Sequence, residues 1–242
     1  MELAYFGKAY HGWQRQPAAI SVQQVVEEAL QTLFQEKIEI TGAGRTDAGV
    51  HAKQMFAHLD LVKDPGANFV FRLNALLPKD IAILSVKKVN LDAHARFDAV
   101  SRSYEYHIVR SKDVFSIDTA YWVKKELDVD EMNRAAKKLL EYRNFKCFSR
   151  SRTDVKTYNC DIEHAYWEDL ASGLVFHIKA DRFLRNMVRA IVGTMLDIGF
   201  GKIKADDLHE IIRSESRSEA GASVPAQGLF LTGIEYPQTI FI

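Results

Sequence analysis

The segment "ITGAGRTDAGVHA" (residues 40–52) lies between two runs whose apolar residues alternate as they do in β-strands. These runs cover residues 38–41 and 53–62, and in the second one the apolar residues from Met55 to Leu61 recur at every second position. The segment contains three glycines, one arginine, one aspartate and one histidine. It is therefore a candidate both for a tight turn and for a site of chemistry.

Residues alone leave both interpretations of this loop open. In the first, glycines supply positive φ angles and Asp47 caps its own backbone. In the second, Arg45 and Asp47 flank Thr46, and an arginine near an aspartate keeps the carboxylate ionised. An ionised carboxylate in a fixed position can act as a nucleophile or a base.

Two cofactor classes fit the loop poorly. Gly42-Ala43-Gly44 resembles the start of a dinucleotide fingerprint, but Asp47 occupies the third glycine position and a strand is predicted to follow. No Walker lysine is present, and His51 lies in a loop without an H-E-x-x-H or H-x-E pattern. We therefore expect neither a phosphate cofactor nor a metal.

The composition is that of an ordinary globular protein, with 242 residues of which 47% are hydrophobic and 26% charged. No apolar stretch approaches the ~20 residues that span a bilayer, and the N-terminus has no secretion pattern. Cys147 and Cys160 lack the spacing of a metal or redox motif, so we expect reduced thiols. These features predict a cytoplasmic protein.

The charge is balanced overall but uneven along the chain. The 32 basic and 32 acidic residues give a net charge of +0, so no global field indicates a nucleic-acid partner. Between residues 141 and 156, however, five basic residues face two acidic ones, which gives +3. A local patch of this kind can bind phosphates.

Apolar periodicity extends the fold prediction to both halves of the chain. In the first half it predicts helices over residues 22–34 and 69–76 and a strand in residues 81–89. In the second half it predicts strands at residues 104–109, 162–168, 173–180 and 229–236, an aromatic segment at 121–123, and helices at 130–142, 182–198 and 206–213.

The order of these elements predicts an α+β fold. Strands arrive mostly in neighbouring pairs, which favours antiparallel sheets with helices packed on one face. We expect two related halves, residues 1–95 with the aspartate loop and residues 96–242, each with a mostly antiparallel sheet and with the active-site cleft between them.

Sequence resemblances run in order along nearly the whole chain. "GAGRTDAGVHA" resembles the signature loop of the TruA-type tRNA pseudouridine synthases. Further similar stretches are "LAYFGKAYHGWQRQP", "SVQQVVEEAL", "FRLNALLP", "HARFDAVSRSYEYHI", "FLRNMVRAIVGTMLDIG" and "SVPAQGLFLTGIEYP". The resemblance implies an enzyme that isomerises uridine to pseudouridine at positions 38, 39 and 40 of the tRNA anticodon stem-loop, on a flipped base and without cofactor or metal. It also implies a homodimer whose tRNA site spans both subunits.

The resemblance assigns four residues to the active site. Asp47 matches the catalytic aspartate, and whether it attacks C1′, adds to C6 or abstracts a proton stays open. Arg45 matches the loop arginine, which is expected to pair with the aspartate or to help replace the flipped base. Tyr104 matches the tyrosine that contacts the uracil, and Arg189 matches the active-site basic residue expected to partner Asp47. Tyr106 lies on the same strand face as Tyr104, and we assign it to the core.

Other basic residues are candidate RNA contacts. Arg182, Arg185 and Arg189 recur at i, i+3, i+7 in the predicted helix 182–198, where they form either a solvated face or a phosphate-binding one. In "RNFKCFSRSR" (residues 143–152), the basic residues Arg143, Lys146, Arg150 and Arg152 interleave with Phe145 and Phe148. This pattern suits either an RNA surface with stacking rings or a polar loop whose phenylalanines anchor it to the core.

One departure and two rival functions complete the prediction. The family's "AYDG" is "AYFG" here, so Phe6 puts any polar role at that position in doubt. We expect His11 and Trp13 to serve packing rather than catalysis. A non-catalytic tRNA-binding module, or a related synthase acting on another uridine or RNA, would share much of this sequence pattern.

Overall fold

A computed structural model describes residues 1–62, 64–150 and 155–242 and divides the chain into two compact units. The first unit comprises residues 1–100 and 231–242, and the second comprises residues 101–230. The strands are β1 (Glu2–Tyr5), β2 (Thr41–Gly42), β3 (His51–His58), β4 (Ile81–Ser85), β5 (Ser101–Val109), β6 (Tyr121–Trp122), β7 (Ile162–Leu170), β8 (Gly173–Ala180) and β9 (Leu229–Glu235). The α-helices are α1 (Val22–Phe34), α2 (Phe69–Leu76), α3 (Val129–Lys138), α4 (Met187–Gly199) and α5 (Leu208–Arg213).

The first unit is built on a sheet in the order β4-β1-β3-β9, with β2 paired to β3. Strand β1 is antiparallel to both of its neighbours, and Leu3 lies opposite Met55 on one side and Ile83 on the other. All three side chains are buried. The side-chain amide of Asn74 in α2 bonds to both backbone groups of Ile83, at 2.9 and 2.7 Å, which fixes the helix against β4.

Both helices of the first unit have the predicted bounds, whereas its strands are shorter than predicted. Helix α1 begins after Ser21, whose hydroxyl accepts a hydrogen bond from the Gln24 amide at 3.3 Å. The run predicted at residues 53–62 forms strand β3, which begins two residues earlier and ends at His58. The run predicted at residues 81–89 pairs as β4 only as far as Ser85.

The second unit has a sheet in the order β5-β8-β7, with a short parallel β6 beside β5. Tyr106 pairs with Phe176, and Phe176 pairs with Trp167. These three rings are buried, and Asn133 of α3 bonds to the Trp167 backbone through both its amide atoms. The opposite face of this sheet carries polar side chains, among them His177 and Glu168, which share a hydrogen bond of 3.0 Å. The described chain therefore confirms the α+β prediction of mostly antiparallel strands.

Helix α4 is buried on nearly all sides, with 11 of its 13 residues in the buried class. It begins at Met187 rather than at the predicted Arg182, because Asn186 adopts a left-handed conformation with φ 66° and no helix continues through it. Arg182 and Arg185 thus lie in the loop before the helix. The prediction that they share a helix face with Arg189 is wrong.

The division of the chain differs from the predicted halves at the C-terminus. Residues 231–242 belong to the first unit, although the prediction places them in the second half. Strand β9 lies beside β3, and the Ile234 amide donates to the Gln54 side chain at 3.0 Å. The Tyr236 ring packs edge-on against Phe56, with 5.2 Å between ring centroids. These contacts attach the chain end to the first unit.

Candidate active site

The loop between β2 and β3 comprises residues 43–50 and contains the candidate catalytic aspartate. Its entry is fixed by the Ala43 amide, which donates to the Phe56 carbonyl at 2.8 Å. Its exit turns where the Val50 amide donates to the Asp47 carbonyl at 3.2 Å. Of the glycines in residues 40–52, Gly49 alone has a positive φ, at 79°. The turn interpretation therefore explains one glycine and leaves Gly42 and Gly44 for other roles.

Residues 5–13, which we call the N-terminal segment, contact this loop on both sides of Asp47. The Tyr5 hydroxyl and the Thr46 hydroxyl share a hydrogen bond of 2.9 Å, and the Trp13 amide donates to the Thr46 carbonyl at 3.4 Å. On the other side, the Gly49 amide donates to the Tyr10 carbonyl at 3.2 Å. Asp47 itself is half-buried. Because these bonds lie on either side of Asp47, they hold its backbone in one position.

Two glycines of the N-terminal segment make this approach possible. A Cβ on Gly7 would lie 2.0 Å from the Val50 carbonyl oxygen, and one on Gly12 would lie 2.2 Å from that of Thr46. Gly12 also has a positive φ of 86°. Any larger residue would push the segment away from the loop. The sequence contained this signal in "GKAYHG", but the prediction considered only the glycines of the loop itself.

His51 and Phe6 form a structural contact at the end of the loop. The buried His51 accepts a hydrogen bond from the Gly7 amide at its Nδ1 atom, at 2.9 Å, which places the proton of a neutral ring on Nε2. Phe6 stacks on this ring, with 4.4 Å between centroids. Position 6 thus supplies an apolar partner for His51. Within the described residues, no group of three or more metal-ligating side chains is present.

Arg45 and Gly44 form the outward part of the loop. Arg45 is exposed. A Cβ added to Gly44 would meet no atom within 4 Å. The pairing of Arg45 with Asp47 therefore stays a prediction, and this edge of the loop has space beside it.

In the second unit, two tyrosines of β5 differ in their surroundings. Tyr104 is half-buried and packs edge-on against Phe183, with ring centroids 5.2 Å apart. Tyr106 is fully buried and donates its hydroxyl hydrogen to the Pro225 carbonyl at 2.8 Å. Burial raises the pKa of Tyr106 far above its usual value. The assignment of Tyr106 to the core is confirmed, and Tyr104 remains the accessible ring.

Arg189 lies in the first turn of α4 and is tied to a distant loop. Its Nε donates to the Val224 carbonyl at 2.8 Å, and the Val224 amide donates to the Arg189 carbonyl at 3.2 Å. These two bonds fix both the backbone and the plane of the guanidinium. No periodicity in the sequence pairs residues 189 and 224, so the prediction did not include Val224.

The remaining candidate arginines fall into distinct environments. Arg150 and Arg185 are both exposed, and the Arg150 amide donates to the Arg185 carbonyl at 3.1 Å, which brings their two loops together. Arg143 is exposed but pairs with Asp161 at 3.0 Å. Arg182 is half-buried. Arg152 lies outside the described residues.

The aromatic residues of "RNFKCFSRSR" belong to the core. Phe145 and Phe148 are fully buried, with their ring centroids 6.4 Å apart. Rings without exposed surface cannot stack on bases. The anchoring interpretation of these phenylalanines is therefore confirmed, and any RNA contact of the segment depends on its basic residues.

Comparison with known proteins identifies the family. A family profile described as tRNA pseudouridine synthase matches residues 3–98 and 135–237. The chain belongs to this family. The matched ranges contain Arg45, Asp47 and Arg189, whereas Tyr104 lies between them.

Full-length relatives support the same assignment. The chain is 49% identical over 242 residues to the tRNA pseudouridine synthase A of Parabacteroides distasonis, covering 99% of this chain and 96% of that protein. It is 50% identical over 245 residues to the protein of the same name from Porphyromonas gingivalis, with 99% and 97% coverage. A Bacillus licheniformis protein of that name is 38% identical, with 97% of each chain covered. The protein is accordingly an isomerase of the tRNA pseudouridine synthase family.

We predict different outcomes for alanine at two glycines of the loop region. A Cβ at Gly42 would lie 2.3 Å from Nε1 of the buried Trp13, so Gly42→Ala should lower the free energy of unfolding by about 1–3 kcal/mol. Gly44→Ala has open space and should leave this free energy unchanged or raise it by up to about 1 kcal/mol. Urea unfolding of both variants measures the difference. Equal effects would contradict the packing described here.

Proposed function

We propose that the protein converts uridine to pseudouridine at positions 38, 39 and 40 of the tRNA anticodon stem-loop, with Asp47 acting on the flipped nucleotide. The observation that carries this proposal is the fixed position of Asp47. Its loop is bonded to the N-terminal segment on both sides, at Thr46 and at Gly49. A catalytic group must be held in a productive geometry before the substrate arrives, and this anchoring provides it.

The proposed reaction breaks the N1–C1′ bond of uridine and forms a C5–C1′ bond, and the proton of C5 moves to N1. The product has the same atoms as the substrate, so the balance requires no oxidant and no group donor. A half-buried carboxylate can attack C1′, add to C6, or abstract a proton from the sugar. Each of these routes places Asp47 in contact with the flipped nucleotide, which the enzyme must extract from its stack.

Four further residues complete the proposed site. Exposed Arg45 is suited to fill the space that the flipped base leaves or to pair with Asp47 once RNA is bound. An added Cβ at Gly44 would meet no atom within 4 Å, so this position leaves room for the nucleotide beside Arg45. Tyr104 contacts the uracil, and Arg189 supplies the basic group of the active site.

The proposed RNA contacts are basic side chains of the second unit. Arg150 and Arg185 are exposed and come from two loops joined by a backbone hydrogen bond. Arg143 and Arg182 add positive charge nearby in sequence, and Arg152 remains a proposed contact. We further propose a cytoplasmic homodimer that binds tRNA. Among the described residues, no helix has the length and apolar character needed to cross a membrane.

The position specificity is tested with unmodified tRNA transcripts. Transcripts that carry uridine at position 38, 39 or 40 alone are incubated with the protein, and pseudouridine is mapped by carbodiimide treatment and primer extension. We expect a stop at each of these positions and none after its uridine is replaced by cytidine. Pseudouridine formed only elsewhere would support the rival synthase, and tight binding without any product would support the non-catalytic module.

Substitution of the aspartate tests its role. Asp47→Asn should reduce turnover by at least about a thousandfold because the amide cannot act as a nucleophile or a base. Its affinity for tRNA should not fall, since removal of a negative charge does not weaken phosphate binding. Asp92→Asn, at an exposed carboxylate in the first unit, is the matched control and should keep full turnover. Full turnover by Asp47→Asn would overturn the assignment.

The arginine contacts are tested through salt dependence. The double variant Arg150→Gln with Arg185→Gln should reduce the slope of log affinity against log salt by about 2, one for each lost phosphate contact. Filter binding of tRNA at several salt concentrations gives this slope. Arg134→Gln is the control, because this exposed arginine pairs with Glu131 on α3. An unchanged slope in the double variant would place the phosphates elsewhere.

A further inference from the structure

Arg217 lies in a loop of the second unit, and its guanidinium bonds to residues of the same loop a few positions later in the sequence. Nη1 donates to the carbonyls of Ala220 and Gly221, at 3.1 and 3.0 Å, and Nη2 donates to the Ser223 hydroxyl at 3.0 Å. The residue is half-buried. These three bonds curl residues 217–223 around one side chain. We call residues 217–224 the arginine clamp.

The clamp is seated directly on the backbone of α4. The Gly221 amide donates to the buried Thr194 hydroxyl at 2.8 Å, and that hydroxyl donates in turn to the Ala190 carbonyl at 3.0 Å. A Cβ on Gly193 would lie 1.8 Å from the Ala222 carbonyl oxygen. Only a glycine at this helix position permits so close an approach. The clamp therefore contacts the helix at one defined site, formed by Gly193 and Thr194.

The end of the clamp is the segment that holds Arg189. Val224 exchanges two hydrogen bonds with Arg189, one of them to the Nε of the side chain. The Ser223 hydroxyl, which Arg217 holds, also accepts a hydrogen bond from the Asn186 side chain at 2.5 Å. Asn186 is the left-handed residue at which α4 begins. The clamp therefore contacts both the start of the helix and the guanidinium of its first turn.

We infer that Arg217 is a positioning residue for the reaction, acting through Ser223 and Val224 to set the orientation of Arg189. This inference depends on the proposed role of Arg189 in the active site. A guanidinium suits the task because its planar fork reaches three acceptors at once, whereas a lysine ammonium acts as a point charge on a flexible stem. Since these donors point at the loop, the contribution of Arg217 is to geometry rather than to tRNA binding.

The first test compares Arg217→Lys with Arg217→Gln in steady-state kinetics. Both variants should lose about tenfold in kcat, because neither side chain bridges the three acceptors and misplacement of a catalytic group slows the reaction. KM for tRNA should change by less than about twofold. An Arg217→Lys variant with normal kcat, together with a raised KM in Arg217→Gln, would instead identify a phosphate contact and overturn the inference.

The second test asks whether Arg217 acts through Arg189. Each Arg217 variant is combined with Arg189→Lys and measured in single-turnover reactions with enzyme in excess. If the effect passes through Arg189, Arg217→Gln should slow the Arg189→Lys enzyme by less than about twofold, although it slows the wild-type enzyme about tenfold. If the double variant instead loses activity by the product of the two single losses, the residues act independently, and the inference is overturned.

A folding control separates this inference from a general loss of structure. Ser223→Ala removes one hydrogen bond of Arg217 and one of Asn186. Like the Arg217 variants, it should lower kcat and leave KM unchanged. Hydrogen exchange should show faster exchange in residues 217–226 of each Arg217 variant, with α3 as protected as in the wild type. Loss of protection throughout the unit would overturn the inference. Absence of pseudouridine with the wild-type protein would instead reject the proposed function.

Discussion

The close approach of one backbone to another is the constraint on which the proposed catalytic loop depends. Gly7 and Gly12 bring the N-terminal segment so near to the carbonyls of Val50 and Thr46 that no Cβ fits between them. Contacts between backbones leave little freedom, since they contain no flexible side chain that could adjust. The position of Asp47 is therefore set by main-chain packing. The hydrogen bond between the Tyr5 and Thr46 hydroxyls further restricts the orientation of the loop.

The second unit fixes its basic residue by the same physical means. Gly193 lets the Ala222 carbonyl meet the helix backbone, and two residues later Val224 bonds to Arg189. In each unit a glycine permits close approach of another backbone segment, and hydrogen bonds then hold the two segments together. Rigid placement of this kind is what electrostatic catalysis requires, because groups that are already oriented need no reorganisation during the reaction.

Local signals made parts of this fold predictable from sequence. Helices α1 and α2 have the predicted bounds because Ser21 caps the first and the chain before Pro78 ends the second. The start of α4 was not predictable in this way. Apolar spacing continues back through Leu184, but Asn186 is held in its left-handed conformation beside Ser223, 37 residues away in sequence. Likewise, the roles of Gly7, Gly12 and Val224 arise from contacts between distant segments, which periodicity does not register.

Phe6, where the family pattern "AYDG" predicts an acidic residue, leaves few carboxylates near the loop. Asp47 is the one carboxylate within residues 40–52. The N-terminal segment does contact another carboxylate, Asp80, but this group accepts a hydrogen bond from the Tyr10 hydroxyl at 2.7 Å. At position 6 itself, an apolar ring stacks on a histidine whose Nδ1 is already occupied by the Gly7 amide. The carboxylate chemistry proposed for this loop therefore depends on Asp47, whose backbone is held by the bonds at Thr46 and Gly49.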